Sequence, residues 1–267
     1  MLTWLTLFAN SFHLYIEYVG FTPNFAPNAI WSMRSLRHLY LSKRPFKDTD
    51  DLEKDSFQLD NLESFVSYRC CSEEEFKRQL RMMPNVRKLA VRLNYCIKLS
   101  NFLNRLESLT LLMGNLKLSA TEFHLPPTLR KLTLGGSILS ASIVSTIGNL
   151  PNLEVLKLLT SLEDKTWDVE DNEFLNLKYL KLARSDIEEW NVSPNAFPNL
   201  QQLIFKQCYF LAEIPVRFGT LLTLKVIKVF NSSNLADSVH EIIAEQQELG
   251  DTNLQIITDF SDSQVDC

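Results

Sequence analysis

Hydrophobic and polar residues alternate along this chain in short bursts, and the bursts return at a nearly fixed interval. The pattern Leu-x-x-Leu-x-Leu, with some substitutions, begins at Leu36, Leu62, Val86, Leu106, Leu129, Leu153, Leu177, Leu200 and Leu224. The steps between starts are 26, 24, 20, 23, 24, 24, 23 and 24 residues. Apolar residues at every second position define a short strand with one buried face, so the last two leucines of each burst point inward. The remaining residues of each unit, about 15, lead back to the next strand.

A period of 20 to 29 residues carrying this burst marks a leucine-rich-repeat solenoid. The expected fold is α/β. It is a curved horseshoe with a parallel β-sheet on its concave face and an irregular or helical convex side. The return segments agree with one another. Ile143 to Leu153 and Ile214 to Leu224 both run from an isoleucine, through Ile147-Gly148 or Phe218-Gly219, into the next burst. Ser72-Glu-Glu-Glu-Phe76 to Leu80 reads as a capped helical turn with acidic residues at its positive end.

The ends depart from the rule. Residues 1–35 contain one or two degenerate units, and 36–235 hold about nine repeats. Lys43 to Asp60 is a charged insertion expected as a surface loop. Residues 236–258 read as a C-terminal cap, an amphipathic helix over 236–249 followed by a strand at Leu254 to Ile257, because terminal units must cover the exposed core. The acidic tail 259–267 is expected to be disordered.

Composition narrows the function. The net charge is −5 and 22% of residues are charged, which gives no general pull toward nucleic acid or membrane. No apolar run reaches the roughly 18 residues of a membrane span. Met1 to Ala9 is apolar and Ala9-Asn10-Ser11 resembles a cleavage site, but no Lys or Arg precedes it, which argues against a secretory signal. The five cysteines (Cys70, Cys71, Cys96, Cys208, Cys267) are odd in number and scattered, so a reducing, cytoplasmic setting fits, including the inner surface of a membrane.

The ninth position of each unit holds Arg44, Cys70, Asn94, Gly114, Ser137, Ser161, Ser185, Cys208 and Ser232. Most are small and able to hydrogen-bond, which gives Cys70 and Cys208 a structural role at the turn.

Enzyme chemistry is hard to find. The seven glycines form no phosphate-cradling loop, and the four histidines (His13, His38, His124, His240) have no partner at metal-ligand spacing. No nucleophile has a base placed beside it. His38 is expected on an exposed strand face as a solvated side chain. The chain therefore reads as a binding protein with no catalytic, cofactor or metal site.

The third, fifth, seventh and eighth positions of each unit are expected to face outward from the concave sheet. Ten of these 36 positions are basic: Lys43, Arg69, Lys88, Arg92, Lys131, Lys157, Lys181, Arg184, Lys206 and Lys228. None is Asp or Glu. With 27 basic and 32 acidic residues in 267, random placement would put about four of each sign there. The last five lysines are expected near one line, at the third or fifth position. A basic strip on an acidic molecule suits an acidic protein surface. Aromatics are sparse on this face (Tyr40, Tyr68, Tyr179, Phe230), which argues against nucleic acid.

Three stretches carry a resemblance. Ile30-Trp31-Ser-Met33-Arg-Ser-Leu36-Arg37-His38-Leu39 resembles a segment in the repeat domains of plant intracellular immune receptors. Leu150-Pro-Asn-Leu153-Glu-Val-Leu156-Lys-Leu158 matches their repeat consensus, and Ser238 to Ile256 is similar to their closing segment. The likeness is greatest to the late blight resistance proteins of the nightshade group, which are coiled-coil nucleotide-binding leucine-rich-repeat receptors. It runs from about residue 20 to the end. What it implies is a sensor and autoinhibitory repeat domain, whose acidic partner is the receptor's nucleotide-binding module, a pathogen effector, or both. The coiled-coil and nucleotide-binding modules are not in this sequence, and residues 1–19 do not match the family well, which favours truncation. The alternatives are a free-standing or truncated repeat protein acting as decoy or scaffold, and an F-box-type substrate adaptor.

Overall fold

The computed structural model describes residues 13–16, 30, 33–41, 58–68, 72–95, 98–118, 123–248 and 254–260. Residues 43–57 of the insertion, Arg69, the cysteines at 70, 71, 96 and 267, and the end of the acidic tail lie outside them, while Leu59, expected in that surface loop, is buried as part of the turn into the next strand. The chain divides into two compact units, Met1–Met113 with His124–Thr128, and Gly114–Phe123 with Leu129–Cys267.

In the first unit, strands β1 (His13–Ile16), β2 (His38–Leu41), β3 (Ser64–Ser67) and β4 (Lys88–Leu93) pair in parallel and in sequence order. Strand β5 (Ser108–Lys117) pairs with β4. In the second unit the order is β6 (Lys131–Leu139), β7 (Val155–Leu162), β9 (Tyr179–Ala183), β11 (Gln202–Lys206), β12 (Val226–Phe230) and β13 (Gln255–Asp259). The remaining strands, β8 (Thr166–Val169) and β10 (Glu189–Val192), form a separate parallel pair on the return side. A parallel sheet built from consecutive bursts of one chain needs a return crossover in every unit, and the period of about 24 residues supplies it.

The periodic leucines form the core. Leu132, Leu156, Leu180, Leu203 and Ile227 share one register row and are each buried. Leu134, Leu158, Leu182, Phe205 and Val229 form the second buried row. Every motif start is buried too. Seven of the nine motif starts share one tight turn, in which the N–H of the motif start donates to the carbonyl three residues earlier. Leu62 donates to Leu59 at 3.0 Å, Leu177 to Phe174 at 3.1 Å and Leu224 to Leu221 at 2.9 Å.

A polar ladder holds these turns in line. The residue before the motif start reaches back to a turn carbonyl of the preceding repeat: Asn61 to Arg34 (2.8 Å), Asn85 to Asp60 (2.9 Å), Asn176 to Pro151 (2.7 Å), Asn199 to Leu175 (2.8 Å) and Thr223 to Pro198 (3.1 Å). Each such side chain satisfies a carbonyl the strands leave unpaired.

The return segments are short helices and packed aromatics. Helix α1 (Glu73–Met82) is capped by Ser72, whose hydroxyl accepts from the Glu75 N–H at 3.2 Å, with three glutamates in the first turn. Helices α2 (Ala141–Gly148) and α3 (Arg217–Thr220) occupy the two return segments that share a sequence layout. Gly148 is closely packed: a Cβ there would sit 3.1 Å from side-chain atoms of Glu173 and Phe174, which would have to give by a few tenths of an ångström. Trp167 on β8 stacks on Trp190 on β10 at 4.9 Å, and Phe174 stacks on Phe197 at 4.8 Å. Helix α4 (Ala236–Glu248) buries Val239 and Ile242. Strand β13 follows it and extends through Asp259, which pairs with Phe230. Asp259, assigned to the acidic tail from the sequence, continues the ladder.

Candidate functional site

The basic residues can now be placed by register. Lys157 on β7 lies directly beside Lys181 on β9, and Lys228 on β12 occupies the same row one strand beyond Ile204 on β11. Neighbouring strands are about 4.8 Å apart, so the row brings three ammonium stems within about 15 Å. Lys131 is not in this row. It starts β6, in register with Val155, and Thr133 takes the fifth position. Lys206 ends β11 opposite Ala183 and Phe230, at the seventh position. The line of five expected from the repeat is therefore a row of three flanked by one lysine at each end of the strands. The repeat starting at Leu200 moved its lysine two residues along and put Ile204, nearly buried, in its place.

The eighth position also needs correction. In β4, β5 and β7 the strand runs on, so alternation turns Leu93, Met113 and Thr160 inward, where they are buried. In the later repeats the strand stops, and Arg184, Gln207 and Asn231 adopt positive φ of 52°, 57° and 48°. This left-handed conformation costs a non-glycine residue about 1–2 kcal/mol. It is held by N–H bonds to the next repeat: Arg184 to Lys206 (2.9 Å), Gln207 to Phe230 (2.9 Å) and Asn231 to Asp259 (2.7 Å). Arg184 then faces outward and donates through Nε to the Gln207 side chain at 3.0 Å.

Lys88 and Arg92 lie on β4 in the other unit, at the third and seventh positions. The row of Lys88 contains His38 two strands away, in register through Ser64. His38 is not the freely solvated side chain expected. Register sets His13 beside it, and the two rings stack at 4.4 Å. Burial, followed by the neighbouring His13, lowers the His38 pKa below its usual value.

The electrostatics of the lysine row are those of crowded like charges. Burial, then Lys206, then Lys157 lower the pKa of Lys181. Lys157 rests its ammonium 5.6 Å from the centre of the Tyr179 ring, a weak cation–π contact. Among the described residues, no carboxylate forms an ion pair with Lys131, Lys157, Lys181, Lys206 or Lys228.

The second motif position behaves in the opposite way. From Arg37 to Lys178 the charges there alternate from repeat to repeat, before Gln201 ends the series, and they pair: Arg37 with Glu63 (3.3 Å), Arg87 with Glu107 (3.4 Å), and Glu154 with both Arg130 (2.6 Å) and Lys178 (3.6 Å). The hydrogen bond from Arg130 lowers the Glu154 pKa. This ladder, like that of the asparagines, escaped the sequence reading, although its signal, a sign that flips every 24 residues or so, is present in the sequence.

Cys208 is buried and structural. Its N–H donates to the Ser232 hydroxyl at 2.9 Å, and its thiol lies 3.5 Å from the Leu182 carbonyl. Burial pushes the thiol pKa up to about 11, so at neutral pH it is protonated and a poor nucleophile. Ser185 and Ser232 accompany it at the same buried position, whereas Asn94 and Gly114 are exposed.

Among the described residues no helix is long and apolar enough to cross a membrane. No protein-family model matches the chain. It is 35% identical over 214 residues to the late blight resistance protein homolog R1B-23 of Solanum demissum, a match covering 77% of this chain and 17% of that protein. With the homolog R1B-16 of the same plant it shares 31% identity over 255 residues, covering 91% of this chain and 20% of that one. An internalin of Listeria monocytogenes aligns structurally over 89% of this chain and 71% of its own, at 15% identity and a TM-score of 0.49. The chain spans about a fifth of the length of the two plant relatives. Its repeat register and these relatives together make it a leucine-rich-repeat homologue of the late blight resistance proteins of Solanum demissum.

Proposed function

We propose that this chain is the protein-recognition segment of an intracellular plant immune receptor, a sensor and autoinhibitory module without catalytic chemistry of its own. In this reading, residues 1–35 are degenerate starting units, 36–235 the repeats and 236–258 the closing cap. The working surface is the concave row around Lys157, Lys181 and Lys228, with Lys131, Lys206 and Arg184 beside it. Its partner is an acidic protein surface, either the receptor's nucleotide-binding module or a pathogen effector, met in the cytoplasm. The observation that carries the reading is the contrast between two adjacent rows. Arg130 and Lys178 at the second position are paired with Glu154, while among the described residues the outward Lys131 and Lys181 of the same repeats, with Lys157 and Lys228, face no carboxylate. Crowded, unpaired lysines cost stability, and an acidic partner would recover that cost on binding.

The test is a Lys157→Glu, Lys181→Glu double variant, co-expressed with the nucleotide-binding module of a late blight relative. Association falls by at least about tenfold while the circular dichroism spectrum is unchanged. Full association of the variant would remove the lysine row from the function.

A further inference from the structure

Tyr209 and Phe210 are the largest side chains the second unit leaves in solvent next to the basic row. They are 52% and 60% exposed, and they follow Lys206 at the carboxyl end of β11. The repeat explains how they come to be there. In the unit before, one residue separates the buried ninth position from the next buried apolar side chain: Ser185-Asp186-Ile187. In this unit two residues intervene: Cys208-Tyr209-Phe210-Leu211. Ile187 and Leu211 are equally buried, so the extra residue cannot be taken up inside and the turn bulges outward with both rings.

The bulge is tied at both of its ends. The Asn234 side chain, from the following repeat, donates to the carbonyls of Cys208 (3.0 Å) and Leu211. From the preceding repeat, the Glu188 carbonyl accepts the Ala212 N–H at 2.9 Å. The Cys208 N–H is held by Ser232 at 2.9 Å. Ordering a loop on binding opposes association, and here the backbone is already ordered. An aromatic pair on a preformed turn is the usual chemistry of an interface anchor.

We infer that Tyr209 and Phe210 form the apolar anchor of the recognition surface, so that the partner is a protein with an acidic segment beside an apolar cleft. This rests on the reading of the lysine row given above. Charge complementarity selects a protein rather than a lipid surface. Lys157, Lys181 and Lys228 are only half exposed, among Tyr179, Ile204 and Phe230. A carboxylate on a side chain reaches down to them, whereas a plane of head groups meets the rim alone.

Two synthetic peptides of equal length test the idea, one of glutamate and glycine only, the other with the same acidic half followed by a leucine-rich half. The intact chain binds the second about tenfold more tightly. A Tyr209→Ser, Phe210→Ser variant removes that advantage and leaves the all-acidic peptide unaffected, with an unchanged circular dichroism spectrum. Asn234→Ala, which keeps both rings but unties the turn, weakens the second peptide by a smaller factor. The inference is overturned if the intact chain shows no preference for the second peptide, or if the ring variant keeps it. Phosphatidylserine vesicles are the third probe; ring-dependent binding to vesicles with equal binding of both peptides also overturns it. The lysine-row reading fails separately, if Lys157→Glu, Lys181→Glu retains the all-acidic peptide.

Discussion

At the residue scale, Lys181 is the most telling position. It shares its row with Lys157 and Lys228, and the residue is half-buried. A lysine whose folded pKa lies below its unfolded value binds fewer protons folded than unfolded in the interval between the two values. Stability therefore rises with pH through that interval, and the penalty is full below the folded pKa. Replacing Lys206 or Lys157 by Gln removes one repulsive neighbour and moves the Lys181 titration to higher pH, as followed by NMR of its ε-carbon. No movement would mean that burial alone sets the value. The repeat revealed that these lysines face outward, because alternation is a local property. That Lys206 stands two residues off the row was also countable, yet Ile204 shows why it matters: the row is broken by one buried apolar side chain.

At the element scale, β9, β11 and β12 are each bounded by two devices, the turn bonded by Asn176, Asn199 or Thr223 at the start and a left-handed residue at the end. The sequence exposed the strands, since burial imposes a period of two. It concealed their ends. Whether position eight faces in or out depends on where the ladder stops, and Thr160 and Arg184 occupy that position with opposite burial. The same holds for the turn at Tyr209, whose extra residue relative to the preceding repeat, a spacing shared with Ser232 to Leu235, is plain only once Ile187 and Leu211 are both known to be buried.

The paired second position yields a pH signature. The Glu154 pKa is lowered chiefly by Arg130. Its contribution is thus present above the unfolded carboxylate value and lost as pH falls through the folded value. Thermal melts of Glu154→Gln against the native chain will differ near neutrality and converge in acid. A constant difference across that range would detach Glu154 from the ladder.

At the scale of the whole molecule, each repeat is stabilised mainly by the repeats on either side. Leu156→Ala removes a fully buried side chain from β7 and costs about 2–5 kcal/mol in urea unfolding. Hydrogen exchange will show β6 and β9 losing protection along with β7, before β12 does. Uniform loss would mean the second unit unfolds as a single block. The resemblance to plant immune receptors was legible in three stretches, of which Ile30 to Leu39 and Ser238 to Ile256 are the more specific. The fold needed no resemblance, only the spacing.

The alternating ladder has a bearing on how such chains change length. Arg130, Glu154 and Lys178 stand at one position in consecutive repeats. Losing the repeat that carries Glu154 would set an arginine beside a lysine, whereas losing the two that carry Glu63 and Arg87 would set Arg37 beside Glu107 and keep opposite signs. The penalty is modest for exposed pairs, about 0–1 kcal/mol each, but it applies at every such joint. Within the stretch from Arg37 to Lys178, duplication and deletion should therefore favour even steps, with parity written on the surface of the protein.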